Sequence, residues 1–321
     1  MCAIAPGKVI LVGEHFVVGG QPAIAAAVEI EARVKAEFID KEGVNVSSME
    51  YGEAFFSFED EKNGPLYPVY VAAKEVLKIT DKTKGLNLKI ESSIPRAAGM
   101  GSSAAVAVAT VAATAKLLGL ELSLEKISEI AYRSETVVHG KPSGIDNTVS
   151  TYGGLIFYKK GMRFRQLSSN ISSIRLVLAD SGIERSTGAM VAKVLTLRDR
   201  YPHVLEHIYN AAGELAYSAK DALEQGDFFR VGQLMNINHG LLHAIGVSNN
   251  KLDLLVDAAR EAGALGAKLT GAGGGGFVVA LCWKEDAGRV ADTLKSMAKQ
   301  VLVTGISRWG VRLTEPSPSF R

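Results

Sequence analysis

Apolar residues recur at every second position through Val28, Ile30, Ala32, Val34 and Ala36, which predicts a long strand over 24–38 with one buried face. A shorter apolar run predicts a strand over 9–12, joined to the first by the turn Gly19-Gly20-Gln21-Pro22. Helical spacing covers 70–79, a strand follows over 86–90, and two helices are predicted over 104–118 and 124–139, with Ser123 as N-cap of the second. Positions 155–158 and 162–167 read as a hairpin around Lys159-Lys160-Gly161.

The polar stretch from Ser168 to Ser173 precedes a different rhythm. A strand over 174–179 leads into helices over 187–198, 204–224, 228–245 and 252–262. A strand over 277–281, a helix over 286–300 and a last strand over 301–304 complete the pattern, and the tail Pro316-Ser317-Pro318-Ser319 reads as loose. Strands and helices mix without regular βαβ alternation, which places the chain in the α+β class. A length of 321 residues exceeds what one core usually supports, so two domains are expected, 1–170 and 171–321.

Charge narrows the partners. Thirty-six basic and 34 acidic residues leave a formal charge of +2, which argues against nucleic acid or an anionic membrane surface. The most membrane-like stretch, over 104–115, stops at Lys116 and is too short to cross a bilayer. The N-terminus lacks the basic start and apolar run of a secretory signal. Cys2 and Cys282 lie at opposite ends with no metal-type spacing, so a reducing, cytoplasmic compartment is expected.

Chemistry concentrates in three glycine-centred segments. Pro95-Arg96-Ala97-Ala98-Gly99-Met100-Gly101-Ser102-Ser103-Ala104-Ala105 follows a predicted strand and opens an alanine-rich helix. Glycines allow a close backbone approach, and a helix start offers free N–H donors and a positive dipole end, a combination that suits a polyphosphate. The plainer reading is a glycine turn ahead of a core helix. Gly99-Met100-Gly101-Ser102-Ser103-Ala104 also fits GxGxxA, but a dinucleotide fingerprint belongs to the first strand of a βαβ unit, and much of the chain precedes this one. No segment matches GxxxxGK[ST].

The stretch Lys268-Leu269-Thr270-Gly271-Ala272-Gly273-Gly274-Gly275-Gly276-Phe277 reads as a helix-to-strand loop whose missing side chains admit a ligand or another backbone. Near the N-terminus, Pro6-Gly7-Lys8 precedes an apolar run that ends in Gly13-Glu14-His15; alone, such a Lys, Glu and His would read as solvated surface. In Glu135 to Asn147, a helix leads into a Pro/Gly turn that presents Asp146, for which an Asx turn is the plainer fate. Glu135 and His139 share a helix face, but without HExxH a dedicated zinc site is not expected.

Together these segments resemble the GHMP kinases, the superfamily named for galacto-, homoserine, mevalonate and phosphomevalonate kinases. The three motifs of that family stand in order, and the likeness runs from near residue 4 to about residue 310. Within the family it is greatest to the branch that phosphorylates the 5-hydroxyl of mevalonate. It is carried by Gly7 to His15, by His139-Gly140-Lys141-Pro142-Ser143-Gly144-Ile145-Asp146-Asn147 and by Arg185-Ser186-Thr187. The resemblance implies a two-domain fold: an N-terminal mixed α/β domain like a ribosomal small-subunit protein, and a ferredoxin-like C-terminal domain.

It further implies ATP and Mg2+ as cofactors. The phosphates would be wrapped by Pro95, Ala97, Ala98, Gly99, Met100, Gly101, Ser102, Ser103 and Ala104, and the metal held by Ser103 and Glu135. Asp146 would act as base beside Lys8, with substrate contacts from Glu14, His15, Ser143 and Thr187. The adenine would lie by 63–70, by rough position alone. Sister kinases for phosphomevalonate or homoserine, a non-catalytic ligand sensor and, more remotely, an NAD-dependent oxidoreductase stand as alternatives. Homodimers and inhibition by prenyl diphosphates occur in the family, and no residue here decides either.

Overall fold

The computed structural model describes residues 1–59, 64–80, 84–95, 98–139, 143–184 and 186–315, with 137–139 as backbone. β1 (Cys2–Val12) runs antiparallel to the long β2 (Ala23–Ile39). β3 (Val44–Ser48) and β4 (Gly52–Phe56) form a hairpin. After α1 (Tyr67–Leu77), β5 (Gly85–Ser92) slots between β2 and β3. Three helices follow, α2 (Ser102–Leu118), α3 (Leu124–His139) and α4 (Ile145–Tyr152), then β6 (Leu155–Tyr158) and β7 (Arg165–Leu167).

A second sheet begins at β8 (Ile174–Asp180). α5 (Thr187–Arg200), α6 (Pro202–Gln225), α7 (Phe228–Ala244) and α8 (Asn250–Glu261) lead to β9 (Gly266–Leu269) and β10 (Phe277–Trp283). α9 (Ala287–Lys295) and β11 (Gln300–Thr304) complete it, and β12 (Arg312–Thr314) returns to pair with β1. The strand order β11-β8-β10-β9, antiparallel throughout, with helices after β8 and β10, is the β-α-β-β-α-β arrangement of a ferredoxin-like fold. The first sheet runs β12-β1-β2-β5-β3-β4, with β6 added beside β2 and β7 beside β6.

α2 is the pivot of the first half. Ala104, Ala105, Ala107, Val108, Ala109, Val111, Ala112, Ala113 and Ala115 are all buried, so the helix is enclosed on nearly every side, as an apolar helix must be. Its small side chains let β1, β2, α1, α3 and α4 all pack directly against it. Left-handed glycines bound it, Gly101 at φ 69° and Gly119 at φ 76°, the second ending the helix in the usual way. At the start of α3, the Lys126 N–H donates to the Ser123 hydroxyl at 3.2 Å, the N-cap expected from sequence.

One apolar cluster runs from α1 and α2 through β1 and β2 to one face of the second sheet, at Leu176, Leu178, Val279 and Leu281. The other face, at Val177, Ala179, Val278 and Ala280, packs on α8 and α9 through Leu255, Val256, Val290 and Leu294. Among the described residues, no helix is long and apolar enough to cross a membrane.

Sequence patterning missed several elements. β3, β4, β9 and β12 are each five residues or fewer, too short for periodicity to register. The glycine-rich segment is not a helix-to-strand turn: β9 already holds Lys268, so the loop joins two antiparallel strands. β9 escaped notice because it opens on Gly266, where a side chain is excluded. A Cβ on Gly266 would run into the Gly232 carbonyl of α7, and one on Gly232 into the carbonyl of Leu265. Gly232→Ala should therefore overpack this junction and destabilise the protein by about 1–3 kcal/mol. The expected signature is a lower urea midpoint at unchanged slope; an unchanged midpoint would show that the two backbones can part freely.

Candidate active site

A cleft of about 1580 Å³ opens where the first motif, the start of α2, the turn before α4 and the glycine loop converge. Lys8, Glu14, His15, Pro95, Ala98, Gly99, Met100, Gly101, Ser102, Ser103, Glu135, Ser143, Asp146 and Thr187 all line it. Ala104 does not, being fully buried in the core. Ala97 and Arg96, Gly140 to Pro142, Arg185, Asn63 and the proline-rich tail lie outside the described residues, as does the side chain of His139.

Lys8 sits on β1 one residue beyond a register shift between Pro6 and Gly7, a bulge of the kind that re-aims side chains beside sites. Its backbone N–H donates to the Met100 carbonyl at 2.8 Å, and Nζ donates to the Gly99 carbonyl at 2.9 Å. The same ammonium lies 3.2 Å from Oδ1 of Asp146, with 5% of the lysine side chain exposed against 29% for the aspartate. Gly101 closes over this pair: a Cβ there would lie 3.2 Å from Cγ of Lys8 and 3.4 Å from Oδ2 of Asp146. At φ 69°, glycine is the residue that both the backbone and the space accept.

α2 then begins at Ser102 with no side-chain cap, leaving its first N–H groups and positive dipole end facing the cleft. Ser103 Oγ donates to Oε1 of Glu135 at 3.2 Å, across from α3. Glu135 is 5% exposed. Burial above all, then the nearby Asp146, pushes its carboxyl up to about 8, against the opposing Ser103 hydrogen bond and the Lys8 charge.

Asp146 occupies the first turn of α4, just past Gly144 at φ 83°. Three side chains fix that turn. The Tyr158 hydroxyl donates to the Ser143 carbonyl at 2.5 Å, and Thr148 Oγ1 donates to the Gly144 carbonyl at 2.7 Å. The Asn147 amide donates to Ser128, at 3.1 Å to its carbonyl and 2.8 Å to its hydroxyl.

His15 is buried and sits at φ 59°, the non-glycine residue with positive φ among the described backbone. Its Nε2 lies 2.8 Å from the Ala272 carbonyl of the glycine loop. Glu14, although it borders the cleft, commits one carboxylate oxygen to Lys268 and the other to the Asn238 amide at 3.0 Å. Thr187 starts α5 at the exposed rim, one residue after the Ser186 N-cap.

Lys268 and Asn238 were not singled out as site residues. Lys268 was legible only as the head of a glycine run, and an Asn inside a helix carries no signal of its own. Gly64, Pro65, Leu66, Pro68 and Val69, from the segment expected near the adenine, also border the cleft.

This arrangement supplies a fixed cation beside a carboxylate, open N–H donors for an anion, and a hydroxyl–carboxylate pair of hard oxygens that fits a magnesium ion. The model for the GHMP kinases N-terminal domain matches residues 68–154, and the model for the C-terminal domain matches 219–300. The mevalonate kinase of Thermococcus sibiricus is 41% identical over 98% of both chains, and that of Pyrococcus furiosus is 42% identical over 98% of both. The crystal structure of L. major mevalonate kinase in complex with R-mevalonate superposes with a TM-score of 0.81 at 32% identity over 94% of each chain. The chain belongs to the GHMP kinase family.

Titration of Glu135 gives a test on the metal-free protein. A carboxyl raised in the folded state binds its proton more tightly there than in the unfolded chain, so its contribution is complete below about 4.5 and is lost as pH rises through about 8. Glu135→Gln should therefore melt close to the parent near pH 4.5 and increasingly above it up to about pH 8. Parallel curves across that window would refute the assignment.

Proposed function

We propose that this GHMP kinase transfers the γ-phosphoryl group of ATP to the 5-hydroxyl of mevalonate, giving 5-phosphomevalonate in isoprenoid biosynthesis. The observation that carries this reading is the convergence of Lys8, Asp146, the uncapped start of α2 and the Ser103–Glu135 pair in one cleft. The relatives alike over nearly their whole length are named mevalonate kinases, which supports that substrate. ATP is the phosphoryl donor that the family implies.

Phosphoryl transfer proceeds through a loose transition state, so positioning and charge stabilisation provide most of the acceleration. The N–H groups at the start of α2, with the backbone of Ala98 to Gly101, take the phosphates. Ser103 and Glu135 would hold magnesium, which when bound neutralises phosphate charge and orients the transferring group. A buried carboxyl whose charge is opposed by its surroundings is suited to accept a divalent cation in place of its proton.

Asp146 orients the attacking hydroxyl and accepts its proton as the new O–P bond forms. An aspartate, with a reference pKa of about 3.9, is a weak base for an alcohol, so proton transfer belongs late in the step. Lys8 stabilises the oxygen as negative charge develops on it. His15, Ser143 and Thr187, which line the cleft, orient the substrate. A non-catalytic sensor would have no use for Lys8, Asp146, Ser103 and Glu135 held together.

Asp146→Asn should lower kcat by about 10²–10⁴-fold while nucleotide affinity stays near the parent value, measured by coupled ADP release and by nucleotide competition. Unaltered turnover would remove Asp146 from this role. Comparing ADP release with mevalonate, phosphomevalonate and homoserine tests the substrate, and preference for either of the latter two would move the chain to a sister activity.

A further inference from the structure

We propose that Lys268 is a positioning residue of this kinase: held against Glu14, it fixes the turn that presents His15 to the substrate, without touching the substrate itself. The proposal rests on the reading of the cleft as the site for the alcohol.

Lys268 and Glu14 are the most deeply enclosed oppositely charged pair among the described residues, with side chains 0% and 1% exposed. They come from opposite ends of the sequence, Lys268 from β9 of the second sheet and Glu14 from the turn just past β1 of the first. Besides Glu14, Lys268 Nζ donates to the Ile10 carbonyl at 3.3 Å and to its neighbour's Leu269 carbonyl at 2.5 Å. All three ammonium donors are thus spent within the protein. Glu14 is anchored again by the Asn238 amide, and Asn238 Oδ1 accepts from the Gly13 N–H at 3.2 Å. The end of β1 is therefore gripped from β9 and α7 together.

What this grip holds is strained. His15 has a left-handed backbone that a non-glycine residue keeps only where its surroundings over-determine it. On one side it is tied through Nε2 to the Ala272 carbonyl, four residues beyond Lys268; on the other it follows directly from Glu14. Burial pushes the Lys268 ammonium down and the Glu14 carboxyl up, each opposed by the other's charge. Removing either partner leaves the other uncompensated, whereas removing both relieves that penalty. A pair spent solely on stability would be replaceable by apolar side chains with no effect on the substrate. Here the pair abuts a strained residue of the cleft.

The test compares the full chain with Lys268→Met, His15→Ala and the Lys268→Met/His15→Ala double variant. Lys268→Met should raise KM for mevalonate by about 10–100-fold while KM for ATP moves less than about twofold, since only alcohol binding depends on this turn. Once His15 is gone, adding Lys268→Met should cost little more, a non-additivity expected of residues that act as one unit. Full additivity, or a KM for mevalonate unchanged in a folded Lys268→Met protein, would overturn the proposal.

Should Lys268→Met fail to fold, Glu14→Gln/Lys268→Met removes both charges and serves in its place. Amide hydrogen exchange on the unliganded protein separates this proposal from the functional one. Lys268→Met should speed exchange at the Gly13 amide whether or not the parent turns over mevalonate. Unchanged protection there would refute the positioning role. Inactivity of the parent toward mevalonate, with exchange behaving as expected, would refute the substrate alone.

Discussion

An ammonium group with almost no access to water has to be matched by acceptors, and the meeting of Lys8 with Asp146 and the Gly99 carbonyl is the contact around which the site is arranged. Each neighbouring feature follows from it. The bulge before Gly7 aims Lys8 inward, and Gly7 lets the strand approach the loop, since a Cβ there would lie 3.1 Å from the Met100 carbonyl. Gly101 leaves room over the pair and turns the chain into α2 in one residue. α4 brings Asp146 in on its first turn, so the carboxylate arrives with helical rigidity and not on a free loop.

The same contact distributes charge across the cleft. Asp146 and Glu135 approach one Lys8, and a second nearby cation, Lys268, is already neutralised by Glu14. Each lysine thus has its own carboxylate. In the proposed reaction Lys8 would be the cation aimed at the reacting oxygen, while Glu135 keeps a carboxyl whose charge its surroundings oppose. Such a carboxyl fits a divalent cation in place of its proton, and in the proposed reaction Lys8 would place positive charge where negative charge develops.

Much of this was legible in residue order, and what was not had a physical reason. The alanine run of α2 and the alternation along β2 are long enough for periodicity to mark them, and the serine before α3 marks its own cap. Glycines at 99, 101 and 144 announced turns whose positive φ values the backbone adopts. Asn147, Thr148, Ser150 and Thr151 make α4 look like a polar loop, yet all four are buried, because the helix packs on α2 and α3 as well as on β1. Lys268 was invisible as a partner of Glu14 for a different cause: their pairing spans the whole chain, and nothing local in either sequence demands the other. Proximity to a motif made Glu14 look like a substrate contact; its two oxygens are taken by Lys268 and Asn238.

The charges bordering the cleft also bear on which alcohol belongs there. Among the described residues that line it, the lysine and arginine side chains are Lys8 and Arg33, whereas Glu14, Glu29, Glu31, Glu50, Glu91, Glu135 and Asp146 border the same space, Glu14 paired with Lys268 and Glu31 with Arg312. In the proposed reaction ATP would already bring several negative charges to the start of α2. A second phosphorylated substrate would add a dianion beside these carboxylates, with Lys8 committed to Asp146. A substrate with a single carboxylate asks for less compensation, and one with an additional positive group would gain from the acidic rim. Among these described groups, a phosphorylated alcohol would need a further cation for its own phosphate.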